Sequence, residues 1–238
     1  MNNRKFGVEI ECYTKMDWDT LEDLLPGWDI KEDGSLENGF RCDHGWYDEC
    51  DCRDSGVELA SPVLQGIKGM EELEKGFRIL NKADAWLEDD CGIHVHHEVR
   101  DLSNVQLYNV ARSWFNNQDT ISRFVARHRL DHQYCEPLTI GDLEEIEREM
   151  RGEHPQYGHE KYKTLSFATR DCYGTLEVRL HQGSLDYEDV KSWVLFGQAF
   201  IENTASRKRP LETCSPEDLL KYTRTYKAAS ENLLKRVK

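Results

Sequence analysis

The sequence predicts an α+β fold built around a mostly antiparallel sheet. Strand-like and helix-like segments alternate along the 238 residues without the regular βαβ spacing that a parallel sheet requires. Three segments also alternate apolar and polar residues as half-buried strands do: Phe6-Gly-Val-Glu-Ile-Glu-Cys12, Gly92-Ile-His-Val-His-His-Glu98 and Thr175-Leu-Glu-Val-Arg-Leu-His181. In the first, Phe6, Val8, Ile10 and Cys12 oppose Gly7, Glu9 and Glu11. In the second, Ile93, Val95 and Val99 oppose Gly92, His94, His96 and Glu98. In the third, Leu176, Val178 and Leu180 oppose Glu177, Arg179 and His181. If the three share a sheet, one face is apolar and the other carries carboxylates, imidazoles and a guanidinium.

The remaining elements are taken in chain order. Asp19 to Leu25 reads as a short helix stopped by Pro26-Gly27, and Trp28 to Asp33 as a strand ending in the turn Asp33-Gly34-Ser35. Residues 37–55 are rich in Gly, Asp and Cys and form an insertion. Gly56 to Pro62 is a strand closed by proline, and Lys68 to Leu80 an amphipathic helix with Met70, Leu73, Phe77 and Leu80 on one face. Ser103 caps a helix running to about Asn116, and Asp119 to Arg127 makes another. Arg129 to Pro137 is irregular, and Asp142 to Arg151 is a charged helix or flap. Tyr162 to Arg170 and Thr175 to His181 form a hairpin about Asp171-Cys-Tyr-Gly174. A long helix spans Asp186 to Ala205, and Ser215-Pro-Glu-Asp218 opens a last one with cap, N1 proline and acidic first turn.

With 45 acidic against 31 basic residues, the formal net charge is −14, which argues against nucleic acid or an anionic membrane as the main partner. No apolar run approaches the length of a membrane span or signal segment, and a strand begins almost at the N-terminus, so the expected location is the cytoplasm. The eight cysteines are then expected to be reduced. Cys42, His44, Cys50 and Cys52 offer four ligands to a structural zinc, in a spacing that matches no common finger. The alternative is a loop with free thiols.

Glu9 and Glu11 lie about 7 Å apart along their strand, so both can reach adjacent metal positions. Carboxylates suit Mg²⁺ or Mn²⁺, whereas His94 and His96 taken alone would equally suit zinc or a polar face. Glu177 adds an oxygen ligand and Arg179 a bidentate grip for phosphate. A solvated strand face or a cross-strand salt bridge explains any one of these pairs in isolation. Their recurrence on three strands is what points to a metal and phosphate site.

In order along the chain, Phe6-Gly-Val-Glu-Ile-Glu11, Trp28 with Asp33-Gly-Ser35, Val57-Glu-Leu-Ala-Ser-Pro62, Cys91-Gly-Ile-His-Val-His96 and Thr175-Leu-Glu-Val-Arg179 resemble the amidoligase family of carboxylate–amine ligases, relatives of glutamine synthetase and glutamate–cysteine ligase. The resemblance runs from residue 6 to about 200. It implies a curved, mostly antiparallel sheet with helices on its convex face, a glutamine-synthetase-like catalytic domain over 1–206 with the 37–55 insertion, and a C-terminal helical extension over 207–238. It further implies ATP and two or three Mg²⁺ ions (or Mn²⁺), and ligation through an acyl phosphate. The partners implied are an amino-acid, peptide or protein carboxylate and an amine.

Carried over residue by residue, the resemblance makes Glu9, Glu11, Glu58, His94 and Glu177 metal ligands. His96 contacts substrate or nucleotide, and Arg179 holds ATP phosphates. Asp33 and Ser35 stand at the rim of the substrate site, with Asp33 a candidate base for the amine. Two segments depart from the family pattern. Tyr134-Cys-Glu-Pro137 is preceded by Arg127, Arg129 and His132 without the usual asparagine, which leaves more than one candidate for the phosphate-contacting arginine, Arg129 being the favoured one. Lys161-Tyr-Lys-Thr-Leu-Ser166 has serine where asparagine is common, with Lys161 the residue that approaches phosphate. The insertion is expected to form part of a lid or specificity wall. Competing functions for the same residues are a phosphotransferase on this scaffold, a metal-dependent hydrolase using His94 and His96, and a non-catalytic binding protein.

Overall fold

The computed structural model of the chain describes residues 3–36, 55–153, 161–213 and 215–237. The proposed zinc cluster and almost all of the insertion lie outside the described residues. Six strands form one open antiparallel sheet: β1 (Phe6–Thr14), β2 (Asp29–Glu32), β3 (Ser55–Ala60), β4 (Gly92–Glu98), β5 (Leu165–Ser166) and β6 (Thr175–Gln182), in the order β2-β3-β1-β4-β6-β5. The three strands identified from alternation are neighbours, β1 beside β4 and β4 beside β6.

Eight α-helices are described: α1 (Trp18–Leu24), α2 (Gly66–Lys82), α3 (Asn104–Ile121), α4 (Ile140–Met150), α5 (Arg170–Tyr173), α6 (Tyr187–Ala205), α7 (Pro216–Tyr222) and α8 (Lys227–Leu234). Among the described residues no helix is long and apolar enough to cross a membrane. Phe6, Val8 and Ile10 of β1, Ile93 and Val95 of β4, and Leu176 and Val178 of β6 belong to one buried core with the apolar stripes of α2, α3 and α6. The period-2 alternation of the strands therefore meets the helical stripes across a single interface, leaving the polar face of the sheet for the site. Ser103 starts α3 with a reciprocal capping box to Gln106, Asp186 caps α6, and Ser215 accepts from the Asp218 amide ahead of α7.

Four expectations are corrected. The separate helix expected over 119–127 does not form. Instead α3 continues to Ile121, and 3₁₀ turns succeed it at Ser122–Phe124 and Arg127–Asp131. The amides of Asn117 and Gln118 bond to the carbonyls of Leu211 and Leu138, so polar residues that read as a helix end are tertiary contacts. Of the two readings of 142–151, a charged, exposed helix or a flap, the helix forms, and α4 is not wholly exposed because it buries Leu143 and Ile146. The hairpin arm at 162–170 is in register with β6 only at Leu165 and Ser166, with one more bond from the Arg179 amide to the Thr164 carbonyl; the Tyr162 carbonyl and the Thr164 amide bond to the backbone of Glu136 instead.

The fourth correction concerns His181. Ile93 pairs with His181 and Val95 with Val178, so Arg179 and Leu180 together oppose His94 alone. This β-bulge adds one residue and reverses the facing of the residues beyond it. Arg179 stays on the site face. His181 goes to the helix side, 5.2 Å from Trp193 between ring centroids and 3.6 Å from Asp189.

Candidate functional site

Register lays the polar side chains out in rows. Lys31 of β2 opposes Glu58 of β3, which opposes Glu11 of β1. Glu9 opposes His94, while Gly7 opposes His96 and His96 opposes Glu177. Directly opposed residues share a face and are close enough to interact. All five proposed metal ligands are thereby brought together from four strands distant in sequence.

His94 is their centre. Its Nδ1 lies 3.2 Å from a Glu9 oxygen and 3.8 Å from Glu177 Oε1, and its Nε2 is 3.4 Å from Glu11 Oε1. Glu9, His94 and Glu177 form one group, and Glu11, Glu58 and His94 a second, with ligand atoms in each within 4.8 Å of one another. A neutral imidazole has a single acceptor nitrogen, so His94 can ligate a cation in one group while donating its N–H toward the other. The donor sets are then mainly carboxylate oxygens with at most one nitrogen, a composition that fits Mg²⁺ or Mn²⁺ better than zinc.

His96 stands slightly outside these groups. Its Nε2 is 3.2 Å from Glu9 Oε1, and its Nδ1 is 3.1 Å from the Thr175 hydroxyl. Arg179 donates to Glu177 Oε1 and, through Nε, to the Tyr134 carbonyl. Its guanidinium lies 5.7 Å from the Tyr162 ring centroid.

Electrostatics separate the carboxylates. Burial would raise the Glu9 pKa, but hydrogen bonds from His94 and His96 outweigh it and hold the group well below the ordinary carboxylate range. Glu11 is raised by burial and by the charge of Asp33, against the opposing pull of His94. Glu58 is raised by burial and by Glu9, with Lys31 working the other way. For His96, burial is outweighed by Glu9 and Glu177, and its pKa is raised. Buried carboxylates with raised pKa values gain most from an added cation.

The other expected residues lie at different depths. Asp33 is half-buried, and its carboxylate accepts from both the amide and the hydroxyl of Ser35, at 2.8 and 2.7 Å. Arg129 is only 1% exposed, donates to the Arg179 carbonyl at 3.1 Å, and packs against Gly92 beside Glu11. The Gly92 amide donates to Glu11 Oε2 at 2.6 Å. Lys161 is exposed over the Tyr162 ring, outside the carboxylate cluster, whereas Lys163 is buried against Glu136 and Asp142. Cys91 joins neither metal group and packs with Tyr13 and Leu36.

Sequence reasoning missed Lys31, Thr175 and Arg100. The signal for Lys31 was present, because Ile30 faces the core and the next residue must face the site. Lys31, Thr175 and Arg100 line a cleft of about 500 Å³ together with Glu9, His96, Gly7 and Tyr173.

A protein-family model described as "putative amidoligase enzyme" matches residues 3–201. No curated protein matches the chain.

Proposed function

The chain belongs to the amidoligase enzyme family, and from that premise we propose that it is an ATP-dependent carboxylate–amine ligase working at a Mg²⁺-ATP site. The family assigns an enzyme of ligase type. The observation that carries the finer reading is the pair of carboxylate groups sharing His94, which meet the cleft through Glu9. An open antiparallel sheet that packs its apolar face on helices and carries the carboxylate groups on the other supports the curved, glutamine-synthetase-like scaffold that we propose for it.

In this reading Glu9 and Glu177 hold one cation and Glu11 and Glu58 another, with His94 serving either. Bound magnesium neutralises phosphate charge during transfer. The cleft takes the nucleotide, with Glu9, His96 and Tyr173 among the residues that line it. Thr175 fixes the His96 ring. Arg179 offers a planar fork to the transferred phosphoryl group, and Arg129, bonded to the Arg179 carbonyl and beside Glu11, adds a second positive charge for the phosphates.

The substrate carboxylate attacks the γ-phosphorus and ADP leaves, giving an acyl phosphate. The amine then attacks the acyl carbon and inorganic phosphate leaves. Asp33, held by Ser35, takes the proton that the amine releases. Amino-acid or peptide carboxylates are the substrate class. We place the reaction in the cytoplasm, in keeping with the free thiols of Cys12, Cys91, Cys135 and Cys172.

Calorimetric titration with ATP, with and without Mg²⁺, on wild type and Glu177→Gln tests the reading. Magnesium-dependent binding that the variant loses supports it, and absence of ATP binding under every condition overturns it. Release of inorganic phosphate only when both an amine and a carboxylate are present distinguishes ligation from simple phosphotransfer.

A further inference from the structure

Each of the two carboxylate groups already holds one basic side chain. In the first, Arg179 donates to Glu177 Oε1, the same oxygen that faces His94 and His96. In the second, the Lys31 ammonium lies 2.7 Å from Glu58 Oε1. The two contacts come from different strands, β6 and β2, on opposite sides of His94. Both carboxylates are buried, and the ammonium of Lys31 belongs to a side chain that is 50% exposed. A buried carboxylate is costly without a counter-charge, so a basic group resting on it stabilises the protein before any metal arrives.

We propose that Lys31 is a displaceable internal counter-cation: it occupies Glu58 in the metal-free protein, yields that carboxylate to an incoming divalent cation, and turns into the cleft toward the phosphates of the bound nucleotide. Three features support the movement. Lys31 lies on β2, a four-residue strand at the sheet edge. Its flexible stem is half in water, so reorientation disturbs no packed core. It also lines the cleft together with Glu9 and His96, which brings phosphate within the reach of a lysine. Arg179 stands in the same relation to Glu177, so a cation taken up there frees its fork for the same phosphates. The inference rests on reading the carboxylate groups as cation sites.

The test is Mn²⁺ binding by the nucleotide-free protein, compared between wild type, Lys31→Met, Glu58→Gln and the double variant. Lys31→Met should bind Mn²⁺ roughly two- to five-fold more tightly, the span of measured exposed ion pairs, and should bind Mg²⁺-ATP more weakly. In the Glu58→Gln background the gain from Lys31→Met should vanish, because a lysine acting only through its general field would still weaken binding there. Unchanged or weaker Mn²⁺ binding by Lys31→Met, or a gain that persists without Glu58, overturns the inference while wild-type binding leaves the cation sites standing. A wild type that binds no Mn²⁺ overturns both. Thermal melting of each variant checks that it is folded before its Mn²⁺ isotherm is compared.

Discussion

His97 makes acid sensitivity a direct readout of the packing between sheet and helix. It lies on β4 with its side chain fully buried, pressed against Gly197 of α6, where an added Cβ would come within 2.3 Å of Nε2. Neither ring nitrogen has a hydrogen-bond partner among the described residues. Burial, with the charges of Arg4 and His96, lowers its pKa from 6.5 to about 3. The unfolded chain therefore binds a proton at pH values where the native protein does not, and the neutral ring's contribution, complete above 6.5, is lost as pH falls toward 3. At about 1.4 kcal/mol per unit the loss tends toward roughly 5 kcal/mol, and linkage assigns about 2 kcal/mol of it to the interval between pH 7 and pH 5. For a chain of this size that lowers the melting midpoint by about 4–8 °C. Wild type and His97→Met should be melted at both pH values. Methionine fills similar space without a proton to bind, so its midpoint should fall less by that amount. Equal shifts in the two proteins would refute the reasoning.

Three further outcomes are expected of the site and its supports. In Gly92→Ala the new Cβ would lie 2.8 Å from Arg129 Nη2 and 3.0 Å from Glu11 Oε2; displacing the charged hydrogen bond at Glu11 should weaken Mn²⁺ binding about ten- to a hundred-fold, and a variant titrating like wild type would sink this account. Because burial raises the pKa values of Glu11 and Glu58, cation affinity should be full above those raised values and decline as pH falls through them; Mn²⁺ isotherms over a descending pH series check this, and affinity that stays flat throughout contradicts it. Arg236 pairs with Asp189 and approaches His181, tying the segment after α8 to the start of α6. Arg236→Met should cost about 1–3 kcal/mol in denaturant unfolding, and an unchanged midpoint would show the tie to be dispensable.

Strand faces were legible because alternation is enforced residue by residue: Glu9, Glu11, His94, His96, Glu177 and Arg179 could be assigned to one side from their spacing alone. Helix starts at Ser103, Asp186 and Ser215 were legible because caps are local chemistry. The bulge in β6 was not, since one inserted residue leaves the alternation intact while turning His181 to the other side. The end of α3 was hidden for a different reason: the helix was expected to stop near Asn116, and the bonds from Asn117 and Gln118 to the distant carbonyls of Leu211 and Leu138 have no local signal. Arg129 was recognised as belonging to the site, but nothing local reveals that Gly92 leaves the space it fills.

The openness of the sheet has a mechanical consequence. Four strands, β3, β1, β4 and β6, are hydrogen-bonded on both sides, and they supply all five carboxylate and imidazole groups of the two clusters. Their backbone amides should exchange with deuterium only on extensive unfolding, so the cluster keeps its spacing through local fluctuations. Lys31, by contrast, rides on a ribbon with one unbonded margin among the described residues. The rigid and the yielding parts of the site are thus divided by position in the sheet. Spacing is held by the interior, and adjustment is left to a border of four residues, three of them charged, which also discourages another chain from zipping alongside.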